Sequence, residues 1–213
     1  MTLATALWSF TLVVGLLTLT PGLDTALILR TAALGRRRRA LGVVLGIQTG
    51  TLLWGTLSSL GVTVLLTASH LAYDAVRLTG AGYLIWLGAR MLWNSRRSDT
   101  VQPLADAEEG VDRADRLSGG WRQGVLTNVL NPKIGVFYVA VLPQFIPPSA
   151  PHFATGVLLT CVHVLLGLAW STVLVLFAHA LRGWLQRPVA RRLLDRITGT
   201  AILGFGLRLA AGD

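Results

Sequence analysis

The chain has 213 residues, 53% hydrophobic and 14% charged, with a formal net charge of +9 and a mean hydropathy of +0.60. Soluble domains carry about 25% charged residues, so this balance argues against a water-soluble domain and for a bilayer as solvent. The positive charge does not signal nucleic acid: the arginines lie between apolar runs, without interleaved aromatics, where they set membrane orientation.

A run of about 20 apolar residues suffices to cross a bilayer. Six such runs recur, at 3–30, 40–67, 71–93, 121–146, 153–181 and 193–209. The predicted fold class is an all-α integral membrane protein of six transmembrane helices. The first run starts MTLATAL, without the basic region of a cleavable signal, and is expected to remain as a span. It is interrupted by Thr20-Pro21-Gly22 and followed by Arg36, Arg37, Arg38 and Arg39. The second carries Gly42, Gly46 and Gly50 at helical spacing, a small-residue face for close packing, with Gln48 placed to line a cavity. After the third come Arg96 and Arg97 and an acidic tract with Ser, Pro and Gly, read as a solvated linker at 94–120. The fourth run is interrupted by Asn131-Pro132. The fifth holds Cys161 and His163, two apart and so on different sides of a helix, which makes a poor metal site. His179, near its end, is expected at the interface. No metal is expected.

Arginines fix the expected topology. They follow the first, third and fifth runs, while the opposite segments carry only Arg77 and Arg208. Loops one, three and five are therefore expected in the cytoplasm and both termini outside; five spans would put one cluster on the wrong side. "RLTGAGYLIWLGARML" (77–92) also matches "RITGTAILGFGLRLA" (196–210) in the order of Arg, Thr and Gly. The single membrane domain, 1–213, thus reads as a three-helix repeat at 1–93, the linker, and a second repeat at 121–213. Three spans is an odd number, so the second repeat would lie inverted. Such repeats are a transporter architecture with its binding site where the halves meet.

Helices 1 and 4 are expected to be broken at Pro21 and Pro132. Thr20 and Asn131 read as N-caps, with proline at the first helical position where no N–H is missed. Irregular backbone at membrane depth survives only where protein or a cavity satisfies it, and a free helix N-terminus attracts a carboxylate. Asp24 lies just past the first break and Lys133 directly after the second. Of nineteen basic residues, only Lys133 is lysine. An ionisable group at the bilayer centre costs about 2.5–3.5 kcal/mol, so both should face a cavity or a partner. They could neutralise each other or hold the ends of a zwitterion. Lysine can also give up a proton on desolvation, which arginine effectively cannot. The candidate substrate and proton pathway comprises Pro21, Gly22, Asp24, Gln48, Asn128, Asn131, Pro132 and Lys133.

"LTPGLDTALILRTAALGRRRRALGVVLGIQTG", "GVLTNVLNPKIGVFYVAVLPQF", "RLTGAGYLIWLGARML" and the terminal "GFGLRLA" together resemble the lysine exporter (LysE/RhtB) family over nearly the whole chain. The family's Pro-Gly-Pro-Asp/Asn motif falls on Pro21, Gly22, Leu23 and Asp24, with Leu23 in place of the second proline; Asn131, Pro132 and Lys133 match its Asn-Pro-Lys. The resemblance implies a small inner-membrane exporter of amino acids or related zwitterions, driven by proton entry. No nucleophile–base pair, P-loop or dinucleotide fingerprint appears, so neither an enzyme nor a cofactor is expected. The expected partners are a small-molecule substrate and the lipid bilayer, with no nucleic acid; a homo-oligomer is left open. A cation or metal exporter on the same scaffold is the alternative within transport. A non-transporting membrane subunit, with Asp24 and Lys133 binding another protein's helix, is the alternative from another class.

Overall fold

The computed structural model describes residues 2–68, 70–97, 115–178, 180 and 187–211, and among these it forms helices and no strand. His179 and the acidic tract at 98–114 lie outside the described residues. Helix α1 (Leu3–Leu19) ends at Thr20, whose N–H and hydroxyl both return to Leu16 O, at 3.1 and 2.8 Å. Pro21 has no N–H to continue the ladder. After an extended Gly22 (φ −153°, ψ −165°), α2 (Leu23–Ala33) restarts at an angle of 52° to α1. The break is where the sequence puts it, but Thr20 closes α1 rather than capping α2. Its hydroxyl is committed to Leu16, and the following proline holds it extended at φ −69°, ψ 120°.

The second break is built differently. Helix α5 (Leu117–Val129) stops, and Asn131 caps α6 (Pro132–Val136) as expected, Oδ1 accepting from the Lys133 N–H at 3.1 Å. The bend is 54°. Beyond it the expected plain half-helix changes geometry twice, into a π-helical turn (Phe137–Val141) and a 3-10 turn (Leu142–Phe145). Pro143 explains the irregularity: it has no N–H to give to Val139 O, and Leu142 N–H reaches back instead to Phe137 O.

Helices α3 (Arg37–Ala68) and α7 (His152–Leu176) are each long and apolar enough to cross a bilayer, α3 over Arg37–Gly61; the two bent pairs, α1 with α2 and α5 with the run to Phe145, qualify when each is taken together. Helices α4 (His70–Arg97) and α8 (Pro188–Ala211) do not reach that mark among the described residues. Both carry charges along their length, Asp74, Arg77, Arg90, Arg96 and Arg97 in α4, and Arg191, Arg192, Asp195, Arg196 and Arg208 in α8. Apolar side chains face outward and polar ones inward, as lipid requires. Trp8 and Leu130 are 73% and 75% exposed while Asn128, Ser59, Thr160 and His163 are buried.

Three glycine-mediated seams hold the helices. Helices α3 and α5 run parallel: Cβ atoms at Gly42 and Gly46 would strike the backbone of Leu117 and Trp121, and those at Gly120 and Gly124 that of Arg39 and Val43. The predicted small-residue face on α3 thus has a matching glycine ridge on α5. Helix α7 crosses α3 antiparallel, with Gly55 against Thr160 and Gly156 against Ser59. Helix α8 crosses α4 antiparallel, with Gly88 against Gly199 and Leu203. Phe10 of α1 packs on Phe137 and Phe145 (ring centroids 6.0 and 5.4 Å), seating the irregular segment against the middle of α1. At the end of the α3–α5 seam, Asp115 Oδ1 accepts from the Arg39 N–H at 2.8 Å and satisfies one free donor in the first turn of α3.

Candidate transport site

The two breaks border one cavity of about 60 Å³, with room for a few water molecules. Asp24 stands in the first turn of α2, where the helix dipole favours a negative charge. It therefore occupies the position that the sequence reading offered to a substrate carboxylate. Asp24 Oδ2 accepts from Asn128 Nδ2 at 2.9 Å, and the same amide reaches Thr51 Oγ1 at 3.3 Å. Asn128 is the last step of the Gly120, Gly124 ridge, and it fits only because residue 50 is glycine. A Cβ there would lie 2.6 Å from Asn128 Oδ1.

Lys133 reaches the other way. Its ammonium donates to Leu17 O at 2.9 Å and Thr20 O at 3.2 Å, the carbonyls at the C-terminal end of α1, where the dipole favours a cation. Gly22 lies alongside, with its Cβ position 4.0 Å from Nζ, an ordinary contact distance. The charged residue of each break thus engages the helix that leads into the other.

Of the residues singled out from sequence, Gly22, Asp24, Gln48, Asn128, Asn131 and Lys133 come together around this cavity, and Pro21 and Pro132 do not. Pro132 lies on the far side of the break. With Asn131 it borders an open apolar groove of about 590 Å³ that also contains Trp54 and Tyr83. The sequence reading missed Thr51, Trp170, Ser171 and the site role of His163, all of which line the cavity. His163 is paired through Nδ1 with the Tyr138 hydroxyl at 2.8 Å. Cys161 is exposed where His163 is buried, as their spacing requires. Among the described residues, Asp24 Oδ1, Asn128 Oδ1 and Trp170 Nε1 are buried on cavity-lining residues without a hydrogen-bond partner. Buried polar atoms are nearly always paired, so these two acceptors and one donor, on residues that line one cavity, are exceptions that call for a partner.

A model of the LysE type translocator family matches residues 3–212. The homoserine/homoserine lactone efflux protein of Salmonella typhimurium is 28% identical over 196 residues, covering 92% of this chain and 91% of the relative. The threonine efflux protein of Escherichia coli is 28% identical over 193 residues, 90% of each chain. The leucine efflux protein of an Enterobacter species is 26% identical over 206 residues, 96% of this chain and 94% of the relative. No solved structure matches the chain.

Proposed function

The chain belongs to the LysE type translocators, membrane transporters for amino-acid efflux, and from that premise we propose that it exports a small zwitterionic amino acid from the cytoplasm in exchange for protons. The unpartnered polar atoms around the cavity carry this reading. An amino acid's ammonium would supply donors for Asp24 Oδ1 and Asn128 Oδ1, and its carboxylate would accept from Trp170 Nε1. Asp24 then holds either a proton or the ammonium, never both. That exclusion couples proton entry to substrate exit.

The same proposal includes six spans in two inverted three-helix repeats within a bacterial inner membrane, with both termini outside. Three packing relations support it. The parallel crossing of α3 and α5, with α4 between them in sequence, fits α3 and α5 traversing in the same direction. The antiparallel pairing of α3 with α7 and of α4 with α8 is what an axis lying in the membrane plane imposes on equivalent helices. Reporter fusions at Gly120 and at the C-terminus are expected in opposite compartments; the same compartment for both would end the six-span arrangement.

Uptake of labelled amino acids into inverted vesicles tests the function. Accumulation that depends on an imposed proton gradient and is absent from vesicles lacking the protein is the expected result. Gradient-independent uptake would remove the antiport, and no uptake of any amino acid would leave the cation exporter or the partner subunit in its place.

A further inference from the structure

Pro21 leaves a gap in the hydrogen bonding of α1, and the second break fills it. In an unbroken helix Leu17 O would accept from the N–H four residues on, but that residue is Pro21, which has none. The preceding carbonyl, Leu16 O, is served twice by Thr20, through its N–H and its hydroxyl. Thr20 itself is extended at φ −69°, ψ 120°, which turns its own carbonyl out of the ladder. One group meets both Leu17 O and Thr20 O: the Lys133 ammonium, at 2.9 and 3.2 Å. These carbonyls form the C-terminal end of α1, a negative pole made of unsatisfied acceptors and the helix dipole. Leu17, Thr20 and Lys133 all border the cavity, so the pole faces a space for water-sized groups rather than packed protein.

Carbonyls at the end of a broken membrane helix are the ligands with which transporters hold a free cation. Here the cation is attached to the chain. A neutral donor would pair the carbonyls but leave the dipole unopposed, whereas a compact ammonium with three N–H groups answers both. We infer that the C-terminal end of α1 is a binding site for a small primary ammonium ion, with Lys133 as its tethered occupant. Lys133 is then a positioning residue that holds the first break by its charge as well as its hydrogen bonds. The chain carries permanently a cation that other broken-helix transporters take from solution. This goes beyond the export reading, because it concerns the scaffold and not the cargo.

Lys133→Ala removes the side chain beyond Cβ, which has the atoms of n-propylammonium, and so opens the site to that ion. The readout is the melting temperature of the purified variant, with n-propylammonium chloride replacing tetramethylammonium chloride at constant ionic strength. Tetramethylammonium has no N–H to give the carbonyls. n-Propylammonium should raise the melting temperature saturably, by about 3 °C or more. n-Propanol, of the same length but with a neutral donor, should not. The native chain, its site filled, should respond to neither. Lys133→Ala combined with Asp24→Asn should keep the shift, since the ligands are carbonyls; it also carries the test if Lys133→Ala alone fails to accumulate. Equal stabilisation by propanol would reduce Lys133 to a neutral strut and overturn the inference. So would no response to propylammonium, an equal response of the native chain, or loss of the shift with Asp24→Asn, which would move the ion to the carboxylate. No amino acid enters these measurements, so their failure and the failure of the export reading are separate results.

Discussion

The two helix breaks bend by nearly the same angle, 52° and 54°, yet they are made from different parts. The first is a gap: Thr20 turns back on α1, Pro21 withholds a donor, Gly22 is extended, and a regular α2 begins with Asp24 in its first turn. The second is capped: Asn131 binds the Lys133 N–H, and the helix beyond it passes through a π-helical and a 3-10 turn. One break presents an acid and the other a base. Each braces the opposite half, Asp24 through Asn128 at the end of α5 and Lys133 through the terminal carbonyls of α1. Two similar bends thus carry opposite charges, and the difference is what gives the cavity its polarity.

Removing the acid should have the largest effect. Asp24→Asn is expected to reduce export to background while the protein still inserts at normal abundance, measured by efflux beside a membrane immunoblot. Wild-type efflux in that variant would reduce Asp24 to a favourable first-turn acid.

Lys133 comes next. The ammonium fits between two carbonyls with Gly22 alongside, and the planar guanidinium of arginine does not reproduce that point-like contact. Lys133→Arg should therefore impair export nearly as much as Lys133→Ala. The alanine variant should also lose about 1–3 kcal/mol of stability for carbonyls left unpaired. If Asp24 and Lys133 balance each other's charge, adding Asp24→Asn should restore part of the abundance of Lys133→Ala without restoring export. An active Lys133→Arg would show that the difference between the breaks is not functional at the second one.

Gly50→Ala sharpens the comparison from outside the breaks. Its methyl would meet the Asn128 amide, so export should fall several-fold as Asn128 is pushed from Asp24, with about 1–3 kcal/mol of overpacking. Melting and efflux of the purified variant check both. The smallest effect belongs to Asn131→Ala, a lost cap of about 1 kcal/mol read as a lowered melting temperature.

Much of this was legible in the sequence for physical reasons. Proline cannot continue a helix ladder, so Pro21 and Pro132 announce their breaks. A charge in an apolar run is costly enough to single out Asp24 and Lys133. Glycines four residues apart expose a backbone stripe, so Gly42, Gly46 and Gly50 mark a seam. Thr20 was misjudged because a threonine before proline can close one helix as readily as cap the next, and the choice depends on which carbonyl its hydroxyl finds. Tyr138 and His163 could not be paired from sequence. The π-helical turn that aims Tyr138 has no side-chain signature, and a buried histidine looks like any core residue until its neighbours are known. The arginines of α4 and α8, helpful for topology, also keep those helices from reading as plain spans.

If Asp24 exchanges a proton for the substrate's ammonium, as proposed, substrate binding releases that proton into solution. Purified protein in weakly buffered detergent solution, given an amino acid that the vesicle assay identifies as a substrate, should acidify the medium in a saturable way. Asp24→Asn should abolish the signal. No release from the native protein, or the same release from Asp24→Asn, would contradict the account.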